Sequence, residues 1–501
     1  MRKNIDMDQR LREGLIKGLS RRSLLKGGTA AVGAAALTSS FGALSRAQAA
    51  SNPLSSPDYG PLIETKDAHT GLYLLSLPKG FRYTSFGWTG DPLMDGTPTP
   101  PAHDGMAVVY TSGNGHRVVL VRNHEIRADS GAFAPDAPVY DRAGGGGTTN
   151  LEFNVHRGHF TKAWASLTGT ITNCAGGPTP WGSWLTCEED TRGPEGDPTF
   201  DPDMPNLEKT HGWVFEVPAF GDAEVKPIRD MGRFVHEATA TDPNTYITYL
   251  TEDISVTFLD EEPLIAERGS GFYRLIPHDD FRPGTPHKPS NLAEVGGKLQ
   301  MLAVDGHDNI DLTGSQIGQG PYHVRWVDIE HPEDHGSDGN GVFQQGLDKG
   351  GAIFQRLEGA WYGNGVVYFI STSGGGTENG QVWVYDPTVE RLWLLFESDG
   401  PRTAENPDNI TVTTSPRGGL LLCEDGDAGQ FLLGLTPQGE TFRFCRNTVL
   451  LNGDINGLMG DFTGSEFAGA TFDPTGKWLF VNIQTPGITF AITGPWKDGI
   501  L

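Results

Sequence analysis

The stretch Asn173-Cys174-Ala175-Gly176-Gly177-Pro178-Thr179-Pro180-Trp181-Gly182-Ser183-Trp184-Leu185-Thr186-Cys187-Glu188-Glu189-Asp190 places a thiol and three consecutive carboxylates on one short piece of chain. Residues 173–179 read as a Gly-rich loop carrying Cys174, and Pro180 and Gly182 supply a tight turn. Residues 183–187 read as a short, half-buried strand that delivers Glu188, Glu189 and Asp190 to one end. Carboxylates are hard-metal ligands and a thiolate is a soft one, so the segment predicts a metal site with mixed donors. Taken alone it reads equally well as a solvated strand end beside an ordinary buried cysteine.

Recurrence favours the first reading. Asp242-Pro243-Asn244 leads into a strand ending at Glu252-Asp253, and Ser415-Pro416-Arg417-Gly418 into one ending at Glu424-Asp425. Asp473-Pro474-Thr475-Gly476 leads into a strand ending near Gln484, and two more strands end at Asn123-His124-Glu125 and at Ser371-Thr372. Glu125 to Glu188 spans 63 residues and Glu188 to Glu252 spans 64; Thr372, Glu424 and Gln484 follow after 120, 52 and 60. Short strands repeating at such intervals predict an all-β chain built by radial repetition. The expectation is a six-bladed β-propeller with loop and short helical insertions, a metal site in its central channel, and these six strands innermost. A β-sandwich with coincidental turns is the alternative.

The strand ends collect Asn123 and Glu125, Glu188 and Glu189, Glu252 and Asp253, and Glu424 and Asp425. Glu237, in Gly232-Arg233-Phe234-Val235-His236-Glu237-Ala238, joins them, as does Glu358 in Arg356-Leu357-Glu358-Gly359. Carboxylates crowded into one channel raise each other's pKa, and multivalent cations relieve the repulsion; calcium and ferric iron suit such oxygen ligands. Arg356 and Glu358 alternate with Leu357, so an extended backbone puts them on one face. A guanidinium beside a metal-binding carboxylate suits phosphate, because its fork matches two phosphate oxygens; a plain salt bridge to a channel acid is the other reading. The polar loops Asp305-Gly306-His307-Asp308 and 333–338 read as solvated. No P-loop, G-x-S-x-G elbow or H-E-x-x-H zinc motif is present.

The chain divides into a leader, 1–49, and a single domain, 50–501. Ser20-Arg21-Arg22-Ser23-Leu24-Leu25-Lys26 reads as a twin-arginine signal, followed by a modestly apolar Gly/Ala-rich run and the cleavage motif Ala47-Gln48-Ala49. A periplasmic or secreted location follows, with the Tat translocation machinery as a partner during export and no membrane attachment after cleavage. Residues 1–49 hold nine basic and three acidic side chains, leaving 29 basic against 60 acidic, a net charge of −31, in the remainder. Such a surface repels nucleic acid and anionic lipid, and an anionic substrate would need local positive charge, which bound cations supply. Four cysteines remain: Cys187 and Cys423 occupy equivalent strand positions that suit packing, Cys445 could pair in an oxidising compartment, and Cys174 is the candidate ligand.

Several of these segments together resemble one family. The twin-arginine leader, Arg122-Asn123-His124-Glu125, Gly146-Gly147-Thr148-Thr149-Asn150, residues 173–189, 232–238 and 249–253 are similar to the PhoX family of exported alkaline phosphatases. So are residues 356–359, Gly380-Gln381-Val382-Trp383 with Tyr385-Asp386-Pro387, and the tail from Phe467 through Trp496. The resemblance implies a propeller with an iron (Fe3+) and calcium (Ca2+) cluster that hydrolyses small phosphomonoesters. It implies that Cys174 is a thiolate ligand of iron, Glu252 a carboxylate shared with it, Glu358 a further ligand and Arg356 the phosphate contact, which makes Cys174, Glu252 and Arg356 the expected catalytic set. Glu125, Asn150, Glu188 and Glu237 match motif positions and, with Glu189, complete the expected metal ligands. Thr485 departs from the pattern, which more often has a histidine there. Two other readings of the acidic strand ends are a calcium-dependent lactonase-like propeller and a calcium-stapled binding propeller without chemistry.

Overall fold

The structure, a computed structural model, describes residues 55–56, 58–127, 130–194, 207–259, 265–278, 281–284, 292–337 and 339–501. The leader expected over 1–49 lies outside them. Among the described residues, strands dominate and helices are short, such as the single two-turn helix Gly341–Leu347.

Six hairpins recur along the chain. Their strands are β1 (His103–Thr111) with β2 (Arg117–His124), β3 (Asn173–Pro178) with β4 (Ser183–Glu188), and β5 (His236–Thr241) with β6 (Thr248–Glu252). Then come β7 (Leu357–Gly363) with β8 (Val366–Ser371), β9 (Pro407–Val412) with β10 (Leu420–Glu424), and β11 (Phe467–Phe472) with β12 (Leu479–Ile483). Each odd-numbered strand packs on the next, from β1 through β11 and back to β1, so these first strands form a closed ring. Further antiparallel strands extend each hairpin outward, in a propeller-like arrangement. The outermost strands of the third and fourth units are joined where Tyr322–Asp328 pairs with Arg391–Glu397.

The strands expected to be innermost, which carry the repeating carboxylate ends, are instead the second of each unit (β2, β4, β6, β8, β10, β12). Their continuous apolar runs misled, because a second strand is buried on both faces: Leu120, Leu185, Leu250, Phe369, Leu422 and Phe480 are all fully buried. The true inner strands look loop-like in sequence because neighbouring backbones approach closely there. Cys174 is accordingly in a strand and not in the loop anticipated for it. A Cβ on Gly177 would sit 1.9 Å from the Thr239 carbonyl oxygen, and one on Gly105 only 2.6 Å from the Ala175 Cα. The Gly-rich composition is thus the requirement for close ring packing.

The ring closes without a covalent link. Arg82–Phe86, from early in the chain, pairs with Ile488–Thr493 from its end. Apolar layers fill the spaces between units; one stacks Phe272 on Phe369 with ring centroids 4.2 Å apart.

Candidate metal centre

Every inner strand shares one irregularity. The ladder slips between His103 and Met106, between Asn173 and Gly176, and between His236 and Thr239. It slips again between Leu357 and Ala360, between Pro407 and Ile410, and between Ala468 and Thr471. Such β-bulges break the alternation of side chains and re-aim the residue they contain. The second residue of each inner strand is, in order, Asp104, Cys174, Glu237, Glu358, Asp408 and Ala468. Five of these six are metal-ligand types, and all are followed by Gly, Ala or Asn.

A second set comes from just past the second strands. The backbone N–H groups of Glu125, Glu189, Asp253, Thr372, Asp425 and Gln484 donate to the carbonyls of Ala102, Thr172, Val235, Arg356, Asn406 and Glu466 at 2.9–3.2 Å. That recurring bond ties each second-strand end to the residue before its inner strand. Four of the six accepting residues adopt left-handed backbone: Ala102, Thr172, Arg356 and Asn406, with φ of 53°, 45°, 41° and 45°. Strain of this kind persists only where the surroundings enforce it.

The two sets meet. Among the described residues, ligand atoms lie within 4.8 Å of one another in four groups: Cys174–Glu189–Glu237, Glu189–Asp253–Glu358, Glu237–Glu358–Asp408 and Asp104–Glu125–Glu466. The first three share members and make one continuous nest. Glu237 is decisive, because it is fully buried and neither of its carboxylate oxygens has a hydrogen-bond donor; Asp104 Oδ1 is likewise buried and unpartnered. Burial, then the charge of Glu189, pushes Glu237 well above the usual carboxylate range; burial with Asp253 does the same to Glu358. Asp408 is raised to about 7 by burial and the neighbouring Asp425. Burial and the charges of Asp104 and Glu189 also push the Cys174 thiol up, so a thiolate there requires a cation that displaces its proton. Crowded carboxylates around a thiol, Glu237 unpartnered among them, fit a multinuclear site for hard and borderline cations.

Arg356 sits at this mouth. Its Nε and Nη2 donate to the two carboxylate oxygens of Asp253 at 2.9 and 2.7 Å, and Nη2 also donates to Glu358 Oε1 at 2.7 Å. Burial opposes its charge, but the bond to Asp253 and the charge of Glu358 more than offset this and raise its pKa. Arg356 and Glu358 do meet, through the left-handed backbone at Arg356 and not through the extended geometry anticipated.

Of the residues singled out in the sequence, Cys174, Glu125, Glu189, Glu237, Glu358 and Arg356 converge here. Glu188, Glu252 and Asn150 do not. Glu188 pairs across the ladder with Asn173 and is saturated by protein donors. It accepts from the backbone N–H groups of Ile171, Gly212 and Trp213 at 3.0–3.1 Å, and lies 2.6 Å from His211 Nδ1. Glu252 accepts from Gly271 N and from the Tyr273 hydroxyl, at 3.0 and 2.6 Å. Glu424 accepts from Glu405 N at 2.8 Å. Asn150, on the third strand of its unit, donates from Nδ2 to the carbonyls of Pro218 and Ala219 at 3.0 and 3.1 Å, outside the nest. Glu125 therefore corresponds to Glu189 and Asp253 and not to Glu188 and Glu252. Asp104, Asp408 and Glu466 escaped notice. The signal for the first two was a carboxylate before Gly or Asn at the start of a hairpin, 21 and 17 residues ahead of Glu125 and Asp425. Gln484 stands where four of the other five units have a carboxylate, and its Nε2 donates to Glu125 Oε2 at 2.6 Å.

Comparison with known proteins bears on the family and the fold. The family model described as alkaline phosphatase PhoX matches residues 57–162 and 154–487. Among solved structures, Pseudomonas fluorescens PhoX in complex with vanadate, a transition state analogue, superposes with a TM-score of 0.60. It is 19% identical, over 89% of this chain and 99% of that one. An oligogalacturonate lyase from Vibrio parahaemolyticus aligns over 84% of this chain and 98% of its own, but at 7% identity and a TM-score of 0.35, too low to bear on the fold. No curated protein matches. With its family model matched from residue 57 to residue 487, the chain belongs to the PhoX alkaline phosphatase family.

Proposed function

We propose that this chain is an exported phosphatase that hydrolyses phosphomonoesters at a centre holding iron and calcium. The observation that carries this is Glu237, buried with both oxygens unpartnered between a thiol and three further carboxylates, Glu189, Glu358 and Asp408. A lone buried carboxylate is costly, and a cation bound by all these groups removes the cost. Cys174 among oxygen donors favours iron at its group, while the all-oxygen group Asp104–Glu125–Glu466 favours calcium. Bound cations supply charge stabilisation to phosphoryl oxygens in the transition state.

The protein's own groups orient the substrate. Asp253 and Glu358 grip one side of the Arg356 fork, and the side chain remains 39% exposed. Nη1 makes no hydrogen bond to the described residues, so it is the edge offered to a phosphoryl oxygen. No serine elbow is needed. Export rests on the leader over 1–49. No described helix is long and apolar enough to cross a membrane.

The test is turnover of p-nitrophenyl phosphate by exported protein, with elemental analysis of the same sample. Iron and calcium in near-integral amounts, with activity abolished in Cys174→Ala, support the reading. Undiminished activity in that variant sinks the thiolate assignment, and turnover of lactones by an iron-free sample replaces the phosphatase with a lactonase.

A further inference from the structure

The bulge that aims Cys174 at the ring also breaks its ladder. Asn173 pairs with Glu188 and Gly176 with Thr186, so Cys174 and Ala175 together face only Cys187. One side chain from the neighbouring hairpin bonds the carbonyls of both bulged residues. Asn123, fully buried on β2, donates from Nδ2 to the Cys174 carbonyl at 2.9 Å and to the Ala175 carbonyl at 2.7 Å. Its Oδ1 accepts from Trp184 Nε1 at 2.9 Å and from Thr186 Oγ1 at 2.8 Å. An amide has two N–H groups and two lone pairs, so this one is saturated. Its orientation is fixed too, because an indole N–H can only donate and must therefore face the oxygen. The network runs on through Asn173, whose Nδ2 donates to Thr186 Oγ1 at 2.9 Å.

The device appears twice. Asn123 lies two residues before Glu125, and the residue two before Gln484 is Asn482. Asn482 Nδ2 donates to the Asp104 carbonyl at 2.6 Å, and its Oδ1 accepts from Thr489 Oγ1 at 2.7 Å. The corresponding residues of the other units are Cys187, Thr251, Ile370 and Cys423, none of them an amide.

We infer that Asn123 is a positioning residue for the Cys174 thiolate: by locking the bulge carbonyls from the adjacent hairpin it sets the direction of Sγ toward the bound metal. The inference rests on the reading that Cys174 ligates a metal. Asn482 holds one carbonyl of the Asp104 bulge, that of Asp104 itself, so two neighbouring hairpins each brace a ligand-type residue of the next. Partners behind a metal ligand of this kind typically change metal affinity by about 10–100-fold when removed.

The experiment compares metal-loaded wild type, Asn123→Asp, Asn123→Ala, Asn482→Ala and Asn150→Ala by thiolate-to-metal charge-transfer absorption and by metal retention against a chelator. Asn123→Asp keeps the size and the acceptor oxygen for Trp184 and Thr186 while losing the two N–H donors, so it serves if the alanine variant fails to fold. Asn150→Ala removes an equally buried amide that also spans two carbonyls, but outside the nest. The expected result is a moved or bleached band in the Asn123 variants, with metal retention about 10–100-fold weaker. Asn482→Ala is expected to weaken retention with the band in place, and Asn150→Ala to lower the melting temperature alone. A band and retention in the Asn123 variants equal to those of Asn150→Ala overturn the inference and leave the metal site standing. A wild type with metal but no thiolate band overturns the Cys174 reading, and the inference with it.

Discussion

Glu188 and Glu189 are consecutive carboxylates at the end of one strand, and the fold uses them in opposite ways. Glu188 faces the gap between units and is enclosed by three backbone N–H groups and His211. Glu189 faces the ring, where Cys174, Glu237, Asp253 and Glu358 offer lone pairs and no strong donors. Glu252 and Asp253 repeat the division: Glu252 is bonded to Gly271 and Tyr273, and Asp253 turns to Arg356 and the nest. The lesson is that a buried carboxylate surrounded by donors is a staple, whereas one surrounded by other acids carries a charge that a bound cation would offset. Residue type does not separate the two; the company of other acids, set by a one-residue difference in position, does.

The strongest break of this contrast is Glu237→Gln. It leaves the shape intact but removes the carboxylate, and it is expected to cut phosphate-ester turnover by more than about 100-fold, beyond the usual effect of losing a group behind a ligand. Metal content measured on the same sample should fall, while the metal-free protein should melt higher than metal-free wild type.

Glu188→Gln tests the staple. His211 lies between Glu188 and Asp141, and although burial lowers its pKa, the Glu188 charge and the Asp141 bond raise it to about 9. Breaking a buried ion pair from one side costs about 3–5 kcal/mol, read by denaturant unfolding, with metal content per folded molecule preserved. In wild type the same contribution is complete below about pH 6.5, the unfolded value, and is lost as pH rises through about 9. A variant that keeps wild-type stability but loses metal would move Glu188 back among the ligands.

The ring acids carry a pH signature of the same sign in a lower window. Without metal, the folded pKa values of Asp104, Glu189, Glu237 and Glu358 lie above the unfolded value of about 4, and Asp408 is raised to about 7, so the folded state holds protons that the unfolded chain releases. Chelated protein is therefore expected to lose stability as pH rises through that window, whereas loaded protein, its protons displaced by cations, should show a flat profile. Melting curves with and without chelator decide this; parallel profiles would mean that the acids do not share a cation site.

Glu252→Gln is the smallest perturbation. A glutamine oxygen still accepts from Gly271 and Tyr273, so a stability change near 1 kcal/mol with unchanged metal stoichiometry is expected. Loss of iron in this variant would restore Glu252 to the ligand role that the family resemblance implies for it.

How much of this was legible beforehand depends on the residue. Cys174, Glu125, Glu189, Glu237 and Glu358 could be picked out because ligand-type residues stand at strand ends or beside small residues, and the all-β repeat showed in the spaced hairpins. Asp104 and Asp408 were overlooked because each is a single acid within an ordinary-looking hairpin start, Asp104-Gly105 and Asp408-Asn409. Glu188 and Glu252 match positions of the family resemblance and align with Glu125 at 63- and 64-residue steps, but they stand one residue before Glu189 and Asp253, which face the other acids.

Local chemistry alone therefore determines which residue types are available, where the hairpins turn, and that the chain forms short strands. The ring decides which of two neighbouring carboxylates faces the other acids. Side chains alternate with a period of two along a strand, so a slip of one residue exchanges the two faces, and six bulges impose that slip at the ring. The donors that saturate Glu188 come from Ile171, His211, Gly212 and Trp213, and the acids around Glu237 come from the second, fourth and fifth units. The acids meet only when the ring closes, whereas the Glu188 donors lie within 17–25 residues along the chain, and it is these charges and donors that set the surroundings of each carboxylate.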